Sequence, residues 1–163
     1  MREKIKEQIL ASASMKEAMV DDCMDDIVSA ATVMIECIQN GGKILWCGNG
    51  GSAGDAQHLA TELMGGMTSH ERKPIPSIAL TTDSSFLTAW SNDTDFESVF
   101  SRQVQGLGKE GDVLVGISTS GNSENVIAAI KQAKFKGLKT VVFTGKSGGR
   151  MNGLADVTIY VPS

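Results

Sequence analysis

Residues Gly48-Asn49-Gly50-Gly51-Ser52 stand between an apolar run, Ile44-Leu45-Trp46-Cys47, and a helix-like run, Ala53 to Met64. A glycine-rich turn from strand to helix lets backbone N–H groups point at one spot. The helix N-terminus adds partial positive charge there, and an anion such as phosphate fits. Glycines that only supply positive φ to a tight turn are the competing explanation, but three in four positions exceed that need. The helix that follows carries His58 and Glu62, four residues apart and so on one face. An imidazole and a carboxylate so placed can share a divalent metal or divide acid–base work; a solvated ion pair on a helix surface is the plainer alternative.

A second loop has the same character. Ser118-Thr119-Ser120-Gly121-Asn122-Ser123 follows the apolar run Val113–Ile117 and feeds the helix that opens at Glu124, with Ser123 as its N-cap. Four hydroxyls in six residues can wrap phosphate oxygens without a basic side chain when amides and a helix dipole supply the field. Between the two loops, Ser91-Asn92-Asp93-Thr94-Asp95 reads as a turn that offers Asn92 and Asp93 to sugar hydroxyls. Gly145-Lys146-Ser147 looks like the end of a nucleotide-binding P-loop, but Thr140 stands where the first glycine is required. Gly48-x-Gly50-x-x-Ala53 fits the dinucleotide fingerprint loosely. Its acidic partner should come ~20 residues on, whereas the first candidate is Asp83.

The elements that hold these loops alternate. Strand-like runs at 43–47, 77–81, 112–118, 139–144 and 156–161 are separated by helix-like runs at 53–64, 84–91, 96–106 and 123–136. Continuous apolar strands between amphipathic helices predict an α/β fold, a five-stranded parallel sheet covered on both faces. Such sheets bind ligands at the carboxyl ends of their strands, where the two loops fall. Ahead of the sheet, Ser14-Met15-Lys16-Glu17 is a capping-box pattern that opens a long helix, ending near Asn40-Gly41-Gly42. Val20, Met24, Ile27, Ala31, Met34 and Ile38 form a heptad-like seam on it. A second row, Met19, Cys23, Ala30, Val33 and Cys37, widens that seam. So broad an apolar face predicts a partner helix from another subunit.

The chain of 163 residues reads as one domain, with N-terminal helices over 1–41 and the α/β sheet over 42–163. A net charge of −4 without a basic cluster argues against nucleic acid as a partner. No apolar run reaches the ~20 residues of a membrane span, and the charged start Met1-Arg2-Glu3-Lys4 lacks a signal-peptide core. A cytoplasmic protein is expected. Cys23, Cys37 and Cys47 read as reduced core thiols.

Taken together, these motifs resemble the sugar isomerase (SIS) family, and within it the phosphoheptose isomerases. The likeness runs through Cys47–Ser52, Asp55-Ala56-Gln57-His58 with Glu62, Asn92-Asp93, Gly116–Ser123 and Thr144–Gly149. It implies a three-layer, flavodoxin-like domain and a homotetramer with sites at subunit interfaces. The implied reaction converts sedoheptulose 7-phosphate to D-glycero-D-manno-heptose 7-phosphate, the start of activated-heptose synthesis. By the same resemblance Ser118, Thr119, Ser120 and Ser123 hold the phosphate. Asn49, Gly50, Gly51 and Ser52, with Asn92 and Asp93, contact the sugar. His58 and Glu62 ligate zinc, and Glu62 is also the base. The family continues past Val161-Pro162-Ser163 into a helix whose Gln and His complete the metal site and supply a second acid–base group; that helix lies outside this sequence. A replication-initiation regulator that binds the bacterial initiator protein shares the fold and the glycine loop, as a scaffold without turnover, and a sugar-phosphate-sensing module is a third possibility. His58 and Glu62 favour the isomerase.

Overall fold

Strands apolar at every position can be buried only with helices on both faces, and the computed structural model, which describes residues 1–162, has that form. Two helices, α1 (Arg2–Asp22) and α2 (Met24–Gln39), precede β1 (Ile44–Gly48) and α3 (Gly51–Gly65). Then come β2 (Ser77–Ala79), α4 (Ser84–Asp93), α5 (Val99–Leu107), β3 (Val113–Ser118), α6 (Glu124–Phe135), β4 (Lys139–Gly145) and β5 (Val157–Val161). The strands pair in parallel in the order β2-β1-β3-β4-β5, with Gly48 opposite Ile117 and Ser118 opposite Thr144.

The sheet divides the core by alternation. Leu45, Cys47, Leu114 and Val142 face α5 and α6, where they meet Val104, Val126, Ile130 and Ala133. Ile44, Trp46, Val113, Val115 and Val141 face the other way, toward Cys23, Ala30 and Cys37 of the N-terminal segment and Ala56 and Ala60 of α3. Small residues on α3 let it lie close to the strands. Since α3 leaves β1 on one face and α6 leaves β3 on the other, neighbouring strands send their helices to opposite sides. The crevice between β1 and β3 is therefore the topological switch point, where open α/β sheets bind ligands.

The N-terminal part departs from expectation. Helix begins at Arg2, so Ser14-Met15-Lys16-Glu17 lies inside α1 and caps nothing. The continuous helix expected to Asn40 is broken at Cys23, whose φ of −124° leaves the helical region. Its thiol donates to Tyr160 O at 3.2 Å, anchoring the break to β5. Of the two apolar rows, the one through Cys23, Ala30 and Cys37 is buried on the chain's own sheet. Val20, Met24 and Ile27 of the other row stay exposed. The turn expected at 91–95 is also revised: Ser91, Asn92 and Asp93 form the last turn of α4.

Candidate active site

At the carboxyl end of β1 the chain turns through Asn49 and Gly50. Gly50 has φ +56° and ψ −120°, a conformation that only glycine adopts cheaply, and α3 starts at Gly51. Ser52 N donates back to Asn49 O at 3.0 Å, which closes the turn. Gly50 and Gly51 are exposed, Asn49 and Ser52 half-buried. Gly48 lies so close to Ser52 that a Cβ would meet its backbone; this glycine lets helix follow strand without a gap.

At the end of β3, Ser118 Oγ and Ser123 Oγ are 3.0 Å apart and tie the strand end to the helix start. Ser123 is the N-cap residue of α6, but its hydroxyl goes to Ser118 instead of capping the helix. Ser120 Oγ accepts Asn122 N at 3.2 Å, and Thr119 and Ser120 are exposed to the crevice mouth. The loop is braced from behind by the segment after β4. Gly145 N donates to Thr119 O and Met151 N to Gly121 O, both at 3.0 Å. Arg150 N donates to Asn122 Oδ1 at 3.0 Å, and the Arg150 guanidinium pairs with Glu124. No cation of the chain bonds to the hydroxyls themselves among the described residues; the field available to an anion is that of amides and helix starts.

The two loops are joined directly. Asn49 Nδ2 donates to Asn125 Oδ1 at 2.8 Å, and Asn125 Nδ2 donates to Asn49 Oδ1 at 2.9 Å. Asn125, only 4% exposed, carries no signal in the sequence beyond being a polar residue in a helix's first turn. Thr144 falls within the Thr144–Gly149 stretch of the resemblance, which gave it no role. It is the last residue but one of β4, is 3% exposed, and its hydroxyl has no hydrogen-bond partner among the described residues. It lines a cavity of about 180 Å³ with Ser52, Asp55 and Thr119.

His58 and Glu62 sit further along α3, with His58 Nδ1 4.0 Å from Glu62 Oε1. His58 is open to solvent, its side chain 69% exposed, against 27% for Glu62. Arg72 donates to Glu62 O at 2.6 Å, which fixes the end of the helix without neutralising the carboxylate. Ten residues of helix separate Glu62 from Ser52, about 15 Å of rise, and helical side chains lean back toward the N-terminus. As a metal site the pair is a fragment. Zinc takes four ligands, and no group of three or more His, Cys, Asp or Glu comes together among the described residues. Asn92 and Asp93 are exposed at the end of α4, where Asn92 Nδ2 donates to Asp93 Oδ1 at 2.9 Å. No hydrogen bond joins them to either loop among the described residues. His70 is exposed in the 66–76 loop, its ring 3.1 Å from Gly65 O.

Comparison with known proteins agrees with this architecture. Residues 9–145 match the family model described as SIS domain. The chain is 49% identical over 163 residues to the phosphoheptose isomerase of a Nitratiruptor species, covering all of this chain and 87% of that one. The phosphoheptose isomerase of Aquifex aeolicus is likewise 49% identical, with 100% and 85% covered. Among solved structures, phosphoheptose isomerase from Neisseria gonorrhoeae superposes with a TM-score of 0.93 at 44% identity, covering 99% of this chain and 86% of that one.

Proposed function

The chain belongs to the SIS domain family, and from that premise we propose that it is a phosphoheptose isomerase, interconverting sedoheptulose 7-phosphate and D-glycero-D-manno-heptose 7-phosphate. The observation that carries the reading is the pairing of two anion-binding loops at the switch point with a carboxylate further along α3. The phosphate sits among Ser118, Thr119, Ser120 and Ser123 and the openings of α3 and α6. Asn49, Gly50, Gly51 and Ser52 line the start of the sugar chain, and Asn92 and Asp93 serve hydroxyls farther out. Anchored by its phosphate, the sugar extends toward Glu62.

Isomerisation moves one proton between adjacent carbons. Glu62 takes a proton from C1 of the ketose, and the electron pair forms the C1–C2 double bond of an enediol. The same group returns the proton to C2, while a proton passes from the C1 oxygen to the C2 oxygen, which leaves the aldose. His58, one turn away, orients the carboxylate. Zinc is part of the proposal on donor chemistry alone: His58 and Glu62 supply two of the ligands it takes, and no step above depends on it. Assembly as a homotetramer is supported by the exposed apolar sides of α1 and α2. A cytoplasmic setting is supported by three free, buried thiols. The product would open activated-heptose synthesis for surface polysaccharide such as lipopolysaccharide.

The test is turnover of sedoheptulose 7-phosphate followed by NMR, with and without added zinc. Glu62→Gln keeps the shape and removes the base, so kcat should fall about 10²–10⁴-fold. Wild-type turnover in a folded Glu62→Gln would overturn the role of Glu62. No turnover in the folded wild-type protein under either condition would overturn the activity.

A further inference from the structure

We propose that Asn125 is a positioning residue that holds the two anion loops at one fixed spacing through its paired carboxamide with Asn49. The proposal rests on the phosphate site described above and assigns a function to a side chain outside it. Asn125 is the second residue of α6 and is almost wholly buried. A buried side-chain amide is costly unless satisfied, and apolar residues fill the rest of this helix face: Val126, Ile130 and Ala133. For packing alone a leucine would serve. The carboxamide is instead spent on one partner 76 positions away, in a ring of two hydrogen bonds of 2.8 and 2.9 Å.

The ring spans the switch point. Asn49 belongs to the turn that starts α3 on one face of the sheet, and Asn125 to the turn that starts α6 on the other. The backbone ladder between β1 and β3 reaches only to Gly48 and Ile117. Beyond it, the carboxamide ring bonds the two turns directly to each other. A phosphate that draws on both helix openings needs them held apart by a constant distance before it arrives, because preorganised donors do not spend binding energy on ordering. The ring also turns the Asn49 side chain toward Asn125, leaving its backbone N–H and one carboxamide N–H for the ligand, while its carbonyl is taken by Ser52 N.

The experiment measures inorganic phosphate affinity by 31P NMR, and KM and kcat for the sugar phosphate, in wild type, Asn125→Leu, Asn49→Ala and the double variant. Asn125→Leu should weaken phosphate about tenfold, the size of one or two buried hydrogen bonds. It should raise KM more than it lowers kcat, because Glu62 is untouched. The double variant should bind no worse than the weaker single, since both remove the same pair. If Asn125→Leu does not fold, Asn125→Ser, smaller and still polar, decides by the same criterion. Unchanged phosphate affinity in either folded variant, or losses that add in the double, would overturn the proposal while leaving the isomerase intact. A folded wild type that fails to bind phosphate would instead remove the site on which both rest.

Discussion

At the scale of single residues, the site depends on glycines where backbones touch. Gly121 has φ +65°, and a Cβ there would collide with the carbonyl of Gly148 on the neighbouring loop. Neither atom can swing away, because Gly145 N and Met151 N pin that loop to Thr119 and Gly121. Gly121→Ala therefore has two costs: about 1–2 kcal/mol for a left-handed alanine, and displacement of the hydroxyl loop. It should lower the unfolding free energy by at least about 2 kcal/mol and raise the KM for sugar phosphate. Gly106 is the contrast. It lies within α5, has no positive φ, and nothing stands within 4 Å of its added Cβ. Gly106→Ala should raise stability by up to about 1 kcal/mol with KM unchanged. Urea denaturation beside steady-state kinetics checks both, and equal behaviour of the two variants would refute the wedge between the loops.

At the scale of elements, a carboxylate just ahead of the edge strand β5 ties its start to β4, beside the backbone ladder. Asp156 Oδ2 accepts Thr140 N and Thr140 Oγ1, each at 2.7 Å, and Asp156 N donates to Thr140 Oγ1 at 3.0 Å. Burial alone would raise its pKa, but the Thr140 bonds, with help from Lys134 and Lys139, hold it below the usual 3.8. A carboxyl whose folded value is depressed adds stability above its unfolded value and loses it as pH falls through the folded one. The acid limb of a stability–pH curve should therefore steepen below about pH 4, and Asp156→Asn should flatten it while costing about 1 kcal/mol at neutral pH. An unchanged acid limb in that variant would refute the assignment. Elements of this kind were legible in the sequence where physics is local. Runs such as Ile44–Cys47 and Val113–Ile117 can only be buried strands, and glycine and serine mark the loops that follow them. The start of α1 was not legible, because Arg2–Ala13 is made of good helix formers and needs no cap to begin. Nor was the break at Cys23, which neither Gly nor Pro announces and which a contact to Tyr160 fixes. The paired loops could be read as two separate anion sites. That Asn125 joins them, and that Thr144 has no hydrogen-bond partner among the described residues, depends on contacts distant in sequence that no local pattern encodes.

At the scale of the whole molecule, the N-terminal arm is unfinished within one chain. No residue of α1 is buried, yet Ile5, Ile9, Val20, Met24 and Ile27 present apolar side chains at 54%, 64%, 57%, 45% and 36% exposure. Burying such a side chain is worth about 1.5–3 kcal/mol. These five are on average about half exposed, so each gains about half of that, and ten from both copies of a two-fold interface give roughly 8–15 kcal/mol, comparable with the ~4–15 kcal/mol that association costs. In the proposed tetramer a second copy would cover these side chains, which α1 and α2 do not bury on their own domain. Light scattering behind size exclusion should give four times the 17.2 kDa of one chain. Ile9→Glu combined with Val20→Glu places buried charge in that interface, which should lower the mass and leave the sheet's circular dichroism intact. If the sites lie between subunits, turnover falls with the mass as the protein is diluted, whereas phosphate binding at the Asn49–Asn125 crevice, built from one chain, does not. A wild-type protein that is monomeric at micromolar concentration yet fully active would refute the assembly, and would mean that a single chain carries every group the isomerisation needs.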